Sequence, residues 1–261
     1  MIHPTAIIDP QAKLDPTVEV APYAVIGPDV KIGANTKIGA HVVISGHTEI
    51  GCDNHIYPGA AIGLEPQDLK YKNEKSFVKI GDRNTIREYV TVNRATAEGE
   101  ETVIGSDNLL MAYVHVAHNC ILGDRIVIAN SVALAGHVEV ESKAVIGGML
   151  GVHQFVKIGT MAMLGGMSRI DRDVPPYMLV EGNPSHVRSL NLVALRRNSF
   201  SSEELSLMKK AYRTLYKSGL TMVQALKELE PLTDNQHINH LCKFMDASMN
   251  GKRRRGLING K

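Results

Sequence analysis

Starting at Ile2, nearly every sixth residue along the first two thirds of the chain is aliphatic. The run goes Ile2, Ile8, Leu14, Val20, Ile26, Ile32, Ile38, Ile44, Ile50, Ile56 and Ile62. Asp68 and Glu74 break it, Ile80, Ile86 and Val92 resume it, and Glu98 breaks it again. From Ile104 it continues through Leu110, Val116, Leu122, Ile128, Leu134, Val140, Ile146, Val152, Ile158 and Leu164 to Ile170. Of 29 positions, 26 are Ile, Leu or Val, which excludes coincidence. A helix would repeat its apolar stripe every three to four residues, so a period of six is not helical. It predicts a hexapeptide solenoid, in which each unit is a short strand and a corner and three units close one coil of about 18 residues. Aliphatic side chains then point inward and stack between coils about 4.8 Å apart. Glycine often follows the aliphatic residue, as at Gly27, Gly33 and Gly51, and reads as part of the corner.

Both breaks preserve the phase of six. GLEPQDLKYKNEKSFV (63–78) replaces about two units with a polar loop, and NRATAEGEET (93–102) replaces about one. Loops projecting from a rigid scaffold are where function concentrates. After Ile170 the repeat ends, and from about residue 187 the pattern becomes helical. Ser201-x-x-Glu204 and Thr221-x-x-Gln224 have capping-box spacing, Gly219 is a natural stop, and a further helix follows Asp234. The expected division is a β-helix over 1–186 and a small helical domain over 187–261.

Composition narrows the class. The 261 residues carry a net charge of +2, which argues against a nucleic-acid binder. The basic run KRRRG (252–256) reads as a solvated tail. Cys52, Cys120 and Cys242 lie far apart, form no CxxC pair and suggest no disulfide framework. The N-terminus lacks a signal-peptide pattern, and no apolar run approaches about 18 residues. The expectation is a reduced, cytoplasmic protein without stable membrane insertion.

The candidate chemistry lies in histidines. Counted modulo one coil, His115, His118, His137 and His153 fall close to one edge on successive coils, and Gln154 joins them. Zinc needs about three nitrogens converging near 2 Å, and the spacing does not show that convergence. A general base needs one imidazole and a partner that fixes its tautomer. The chain has neither a G-x-S-x-G elbow nor a P-loop. Direct transfer, with histidine deprotonating a hydroxyl, fits what remains.

QDLKY (67–71), IGDRNTIRE (80–88), GSDNLLM (105–111), HVAHNC (115–120), LAGHV (134–138), GVHQF (151–155), DVPPY (173–177) and GNP (182–184) occur in this order. The set resembles the UDP-N-acetylglucosamine O-acyltransferase family. The resemblance implies an all-β solenoid plus α, a left-handed parallel β-helix with a small C-terminal helical domain. It also implies a cytoplasmic homotrimer without cofactor. Such an enzyme moves an R-3-hydroxyacyl group from acyl carrier protein to the glucosamine 3-hydroxyl of UDP-N-acetylglucosamine, the first step of lipid A synthesis. By motif, His118 is the implied base and the Gly136 N–H the implied oxyanion donor. Asp68, Lys70, His115, His137, His153 and Gln154 would bind the sugar and diphosphate. Asn191 and Arg197, with Arg196 beside them, would contact the nucleotide, and Gly166 would limit acyl length.

Three positions depart from the family pattern. Asn119 follows the base where Asp is common, Val193 replaces an acidic nucleotide contact, and Asn93 replaces a histidine. Three other readings compete: an N-acyltransferase on a 3-amino sugar nucleotide, a zinc hydratase on the same scaffold, and a non-catalytic scaffold.

Overall fold

The fold, given by a computed structural model, is described for residues 1–251 and 255–260. Lys252 to Arg254, in the basic run expected to be a solvated tail, lie outside the described residues. Short strands stack in parallel into three sheets of nine, eight and ten strands. Each sheet is one face of a prism, and the whole is a left-handed parallel β-helix.

The six-residue comb is the core. Every aliphatic residue on it is buried except Ile2, Ile8 and Leu14, which belong to the first coil and have nothing beneath them. At about 1.5–3 kcal/mol per buried aliphatic side chain, this stack dominates stability. The position four residues further on is also inward. It holds small or β-branched residues on most coils, but one corner carries a buried polar ladder. The Asn54 and Asn84 side-chain oxygens each accept from the backbone N–H of the next coil's residue, Asn84 and Asn108, at 2.9 Å. Asn108 does the same for Ile126 at 2.7 Å. Each amide is thereby satisfied without water.

Glycine has a different role from the one expected. The left-handed backbone falls on the third residue after the comb position, where Tyr23, Asn35, Asn119, His137 and Phe155 all have φ between 58° and 66°. The glycines directly after the comb position serve close approach between coils. A Cβ on Gly33 would lie 2.8 Å from the Gly51 carbonyl carbon.

The two polar insertions lengthen single coils by whole units. Regular coils pair at a constant offset of three units, as Ile7 does with Val25 and Ile8 with Ile26. Across the insertions, Ile62 pairs with Val92 and Thr91 with His115. These offsets, 30 and 24 residues, add two units and one unit, so the comb resumes in register. The loops also brace each other. Arg94, in the second, donates to the Gly63 carbonyl at 3.0 Å and to the Tyr71 hydroxyl at 2.7 Å. Asn93 donates to the Glu65 carbonyl at 2.8 Å.

The solenoid outlasts its sequence repeat. Met178–Gly182 lies parallel to Met163–Leu164, with Leu164 opposite Val180, a shorter step than a full coil. The chain then turns into an antiparallel strand, Ser185–Leu190, so residues 187–190 are extended rather than helical. Among the described residues four α-helices follow, α1 (Leu192–Arg197), α2 (Ser202–Tyr216), α3 (Met222–Leu229) and α4 (Gln236–Asn250), with a short 3-10 turn over Glu230–Leu232 between the last two. Both expected capping boxes form, at Ser201 with Glu204 and at Thr221 with Gln224. The helices dock on the last coils through polar contacts. His240 Nε2 lies 3.0 Å from Glu141, and Ser248 donates to the buried Asp173 carboxylate at 2.6 Å. The three cysteines are free, as expected. Burial pushes the Cys120 thiol up to about 12, so it fills core space and does not act as a nucleophile.

Because the comb residues carry the fold, Leu110→Ala should cost about 2–5 kcal/mol. Ile2→Ala, half exposed at the open end, should cost less than about 1 kcal/mol. Thermal melts of both variants check this ordering, and equal losses would contradict it.

Candidate active site

His118 sits on the corner that follows the strand His115–Val116. Val116 is buried and anchors the corner, and Asn119 takes the left-handed position at φ 61°. Asn tolerates that conformation better than most residues. The turn puts the Asn119 amide beside the His118 ring, with Oδ1 2.9 Å from Nδ1. Which end of the amide faces the ring is fixed by its other partners. Oδ1 also accepts from the Thr96 backbone N–H at 3.2 Å, while Nδ2 donates to the Glu100 carboxylate at 2.6 Å. An oxygen facing Nδ1 requires Nδ1 to carry the proton. Nε2 is therefore left with its lone pair, the form a general base needs.

The Nε2 side faces the first inserted loop. Asp68 Oδ2 lies 3.8 Å from Nε2, and the two side chains are 28% and 13% exposed, so the ring is largely shielded from water. Asp68 is held by its own loop, since its Oδ1 accepts from the Lys70 backbone N–H at 2.9 Å. Lys70 itself is exposed.

Gly136 stacks one coil above His118. A Cβ there would fall 2.5 Å from His118 Nε2 and closer still to Cε1, so only glycine fits over the imidazole. Gly136 occupies the corner position, two after the comb residue, that holds proline in Pro10, Pro16, Pro22, Pro28 and Pro58. That position makes no ladder bond, which is why proline suits it. The Gly136 N–H accordingly has no acceptor among the described residues, and it borders the cleft next to Nε2.

The cleft itself has a volume of about 490 Å³ and runs across the nine-stranded face. Its floor is made of small outward residues, Ala133 and Gly151, with His115 and Arg169 on the coils to either side. His115 Nδ1 is 2.7 Å from the Thr91 hydroxyl. Burial first, and then the neighbouring His118, hold the His115 imidazole below its ordinary value. His153 borders the cleft and donates from Nδ1 to the Gln154 carbonyl at 3.2 Å.

Other expected site residues are placed differently. The His137 ring meets His118 edge-on at 5.3 Å and stacks on Phe155 at 4.7 Å. Gln154 is exposed on the coil above Gly136. Gly166 lies on the neighbouring edge, where a Cβ would come 3.1 Å from the Gly148 carbonyl oxygen. Asn191 caps α1, accepting from Ala194 N–H at 3.1 Å and donating to the Met161 carbonyl at 2.9 Å. Arg197 is exposed in the last turn of that helix, and none of these five borders the cleft. Gln67, Arg169 and Asp171 do border it and were not singled out from sequence. The signal for the last two was present, because they lie one full coil after Gly151 and His153. Among the described residues, no three His, Cys, Asp or Glu side chains gather as metal ligands. No helix among them is long and apolar enough to cross a membrane.

Comparison with known proteins places the chain in a family. Residues 173–258 match the family described as UDP-N-acetylglucosamine O-acyltransferase, domain 2, and residues 11–46 and 101–136 match bacterial transferase hexapeptide repeats. The chain is 62% identical over 214 residues to the acyl-[acyl-carrier-protein]–UDP-N-acetylglucosamine O-acyltransferase of Gloeothece citriformis, covering 82% of this chain and 78% of that one. The chain belongs to the UDP-N-acetylglucosamine O-acyltransferase family. Solved relatives share its shape. That from Moraxella catarrhalis is 42% identical, with 99% of each chain covered and a TM-score of 0.93. The Arabidopsis UDP-N-acetylglucosamine acyltransferase is 36% identical over 99% of this chain and all of that one, with a TM-score of 0.87.

The depressed His115 yields a titration prediction. Its NMR midpoint should lie below 6.5. His118→Ala should raise it, because the substitution opens the site to water and removes the neighbouring imidazole that helps hold His115 down. A midpoint unmoved by His118→Ala would show that the two rings do not sense each other.

Proposed function

We propose that the chain transfers an R-3-hydroxyacyl group from acyl carrier protein to the glucosamine 3-hydroxyl of UDP-N-acetylglucosamine, the first step of lipid A synthesis. The reading rests on family membership and on one observation. The bare Nε2 of His118 and the unpaired N–H of Gly136 are side by side at the mouth of one cleft. Acyl transfer to a hydroxyl needs that pair.

His118 Nε2 takes the proton of the sugar 3-hydroxyl as its oxygen attacks the thioester carbonyl. The carbonyl oxygen becomes an oxyanion and accepts from the Gly136 N–H. The C–S bond then breaks, and the imidazolium returns its proton to the departing sulfur, leaving ester and thiol. The chain needs no cofactor for these steps. Asp68 and Lys70 hold the sugar from the first loop, and His115 and His153 line the sugar and diphosphate from the cleft. His137 and Gln154, which stand outside their own chain's cleft, complete that binding surface from a neighbouring copy. The acyl chain crosses the Ala133 and Gly151 floor toward Gly166. Residues 1–186 form the transfer unit and 187–261 the nucleotide-contacting unit. Asn191 and Arg197 stand away from their own chain's cleft, so they serve the nucleotide in a neighbouring copy, and the enzyme works as a homotrimer. Cytoplasmic placement rests on the sequence reading.

A matrix of 3-hydroxyacyl carrier proteins against UDP-N-acetylglucosamine and its 3-amino analogue tests the reaction. Turnover of the amino sugar alone would replace O-transfer with N-transfer. General-base catalysis is worth about 10²–10⁴, so His118→Ala should lower kcat by at least a hundredfold while a chelator changes nothing. If the variant keeps a tenth of the wild-type kcat, or chelation abolishes activity, His118 is not the base.

Arg197→Ala should raise KM for the sugar nucleotide much more than it lowers kcat, since it removes binding common to ground and transition states. An unchanged KM would remove α1 from the nucleotide site. Gly166→Met should shift preference to shorter donors, costing the longest chain about 0.8 kcal/mol per methylene displaced. An unaltered chain-length profile would place the end of the acyl groove elsewhere.

A further inference from the structure

We propose that Glu100 is a positioning residue for His118 that acts through Asn119. The inference rests on the reading of His118 as the base. The neutral Asn119 supplies no charge to the imidazolium formed when Nε2 takes a proton. It is, however, the middle of a chain. His118 Nδ1–H donates to Asn119 Oδ1 at 2.9 Å, and Asn119 Nδ2 donates to Glu100 Oε2 at 2.6 Å. A carboxylate on the amine end of an amide polarises it and makes its carbonyl oxygen a stronger acceptor. The charge missing at 119 is thus delivered from one residue further out.

The second inserted loop is built to hold this arrangement. Glu100 closes the loop, its N–H donating to the Ala97 carbonyl at 3.1 Å and its carbonyl accepting from Phe77 N–H at 3.0 Å. The same loop supplies Thr96, whose backbone N–H and hydroxyl both lie 3.2 Å from Asn119 Oδ1. One end of the amide meets donors and the other a carboxylate, so the amide cannot reverse without losing both. Reversal would present Nδ2 to His118 and force the proton onto Nε2, destroying the base. Glu100 therefore has two effects, orienting the amide and adding charge, and different substitutions separate them.

The other charged groups around the ring are few. Asp68 faces Nε2 at 3.8 Å, and His115 and His137 flank it. Next to Glu100, Glu101 is bound to Lys79 at 2.6 Å, and Glu98 accepts from the Lys75 backbone N–H at 2.8 Å. Glu100 is exposed, so its charge is partly screened and its effect must be smaller than that of removing the base.

The test is the pH profile of kcat/KM together with the ring-nitrogen NMR signals of His118. Glu100→Gln keeps an acceptor for Asn119 Nδ2 and removes only the charge. It should lower kcat/KM roughly three- to tenfold. The acid limb should move to lower pH, because a less stabilised imidazolium loses its proton more readily. Glu100→Ala frees the amide and should cost more, with part of the ring population shifted to the Nε2–H tautomer. Asn119→Asp alone sets two carboxylates against each other, whereas Asn119→Asp with Glu100→Gln gives a direct carboxylate partner. The double variant should recover the activity lost in Glu100→Gln and move the acid limb above wild type. If Glu100→Gln leaves the limb and the His118 signals unmoved while His118→Ala remains inactive, Glu100 only shapes its loop and the proposal is wrong. If His118→Ala is itself active, the base assignment fails instead.

Discussion

Everything in this protein depends on one packing constraint, an aliphatic side chain placed inward at every sixth residue and stacked on its equivalent one coil below. The stack fixes the distance between coils, and with it the register of every outward residue. His118 and Gly136 stand one coil length apart in the chain, and that is what brings a backbone N–H over an imidazole. A single-residue slip would turn inward positions outward and separate the pair. The first coil shows the limit of the rule. Ile2, Ile8 and Leu14 keep the pattern but have nothing below to pack on.

The insertions exploit the same constraint. Each adds whole units, so polar chain leaves and re-enters the solenoid without disturbing the stack. The two loops approach His118 from opposite sides. The first carries Asp68 to the Nε2 side, and the second carries Thr96 and Glu100 to the amide that holds Nδ1. Arg94 ties them together through Gly63 and Tyr71. His118 is thus positioned by residues the coil could not itself have supplied, because a regular unit has no room for a second layer of side chains outside its corner.

Corner chemistry links the scaffold to the reaction. The position two after each comb residue makes no ladder bond, and the first coils fill it with proline. At 136 glycine keeps the N–H and removes the Cβ that would strike His118. Several other corners hold proline or pair this N–H with a side-chain acceptor, as Cys52 does with Asp82 and Asp124 with Ser142. At 136 the donor has no acceptor among the described residues and borders the cleft beside the imidazole.

The sequence by itself determined the solenoid, its phase-preserving interruptions, the helix caps and the edge that gathers the histidines, because each is a matter of spacing along one chain. The choice of His118 among them came from the resemblance of its motif to the family. Period and coil length convert directly into which residues stack. It also held the signal for Arg169 and Asp171, one coil beyond Gly151 and His153. Only the tertiary structure decided the rest. Nothing in the spacing says that Thr96 and Glu100 meet Asn119, since irregular loops have no period. Nothing in it turns Asn191 into a helix cap away from the cleft, or continues the solenoid past Ile170 with a shortened step. Nor does it say that the left-handed corner residue is not glycine. Those outcomes depend on where side chains come to rest against neighbours far along the chain, and no repeat records that.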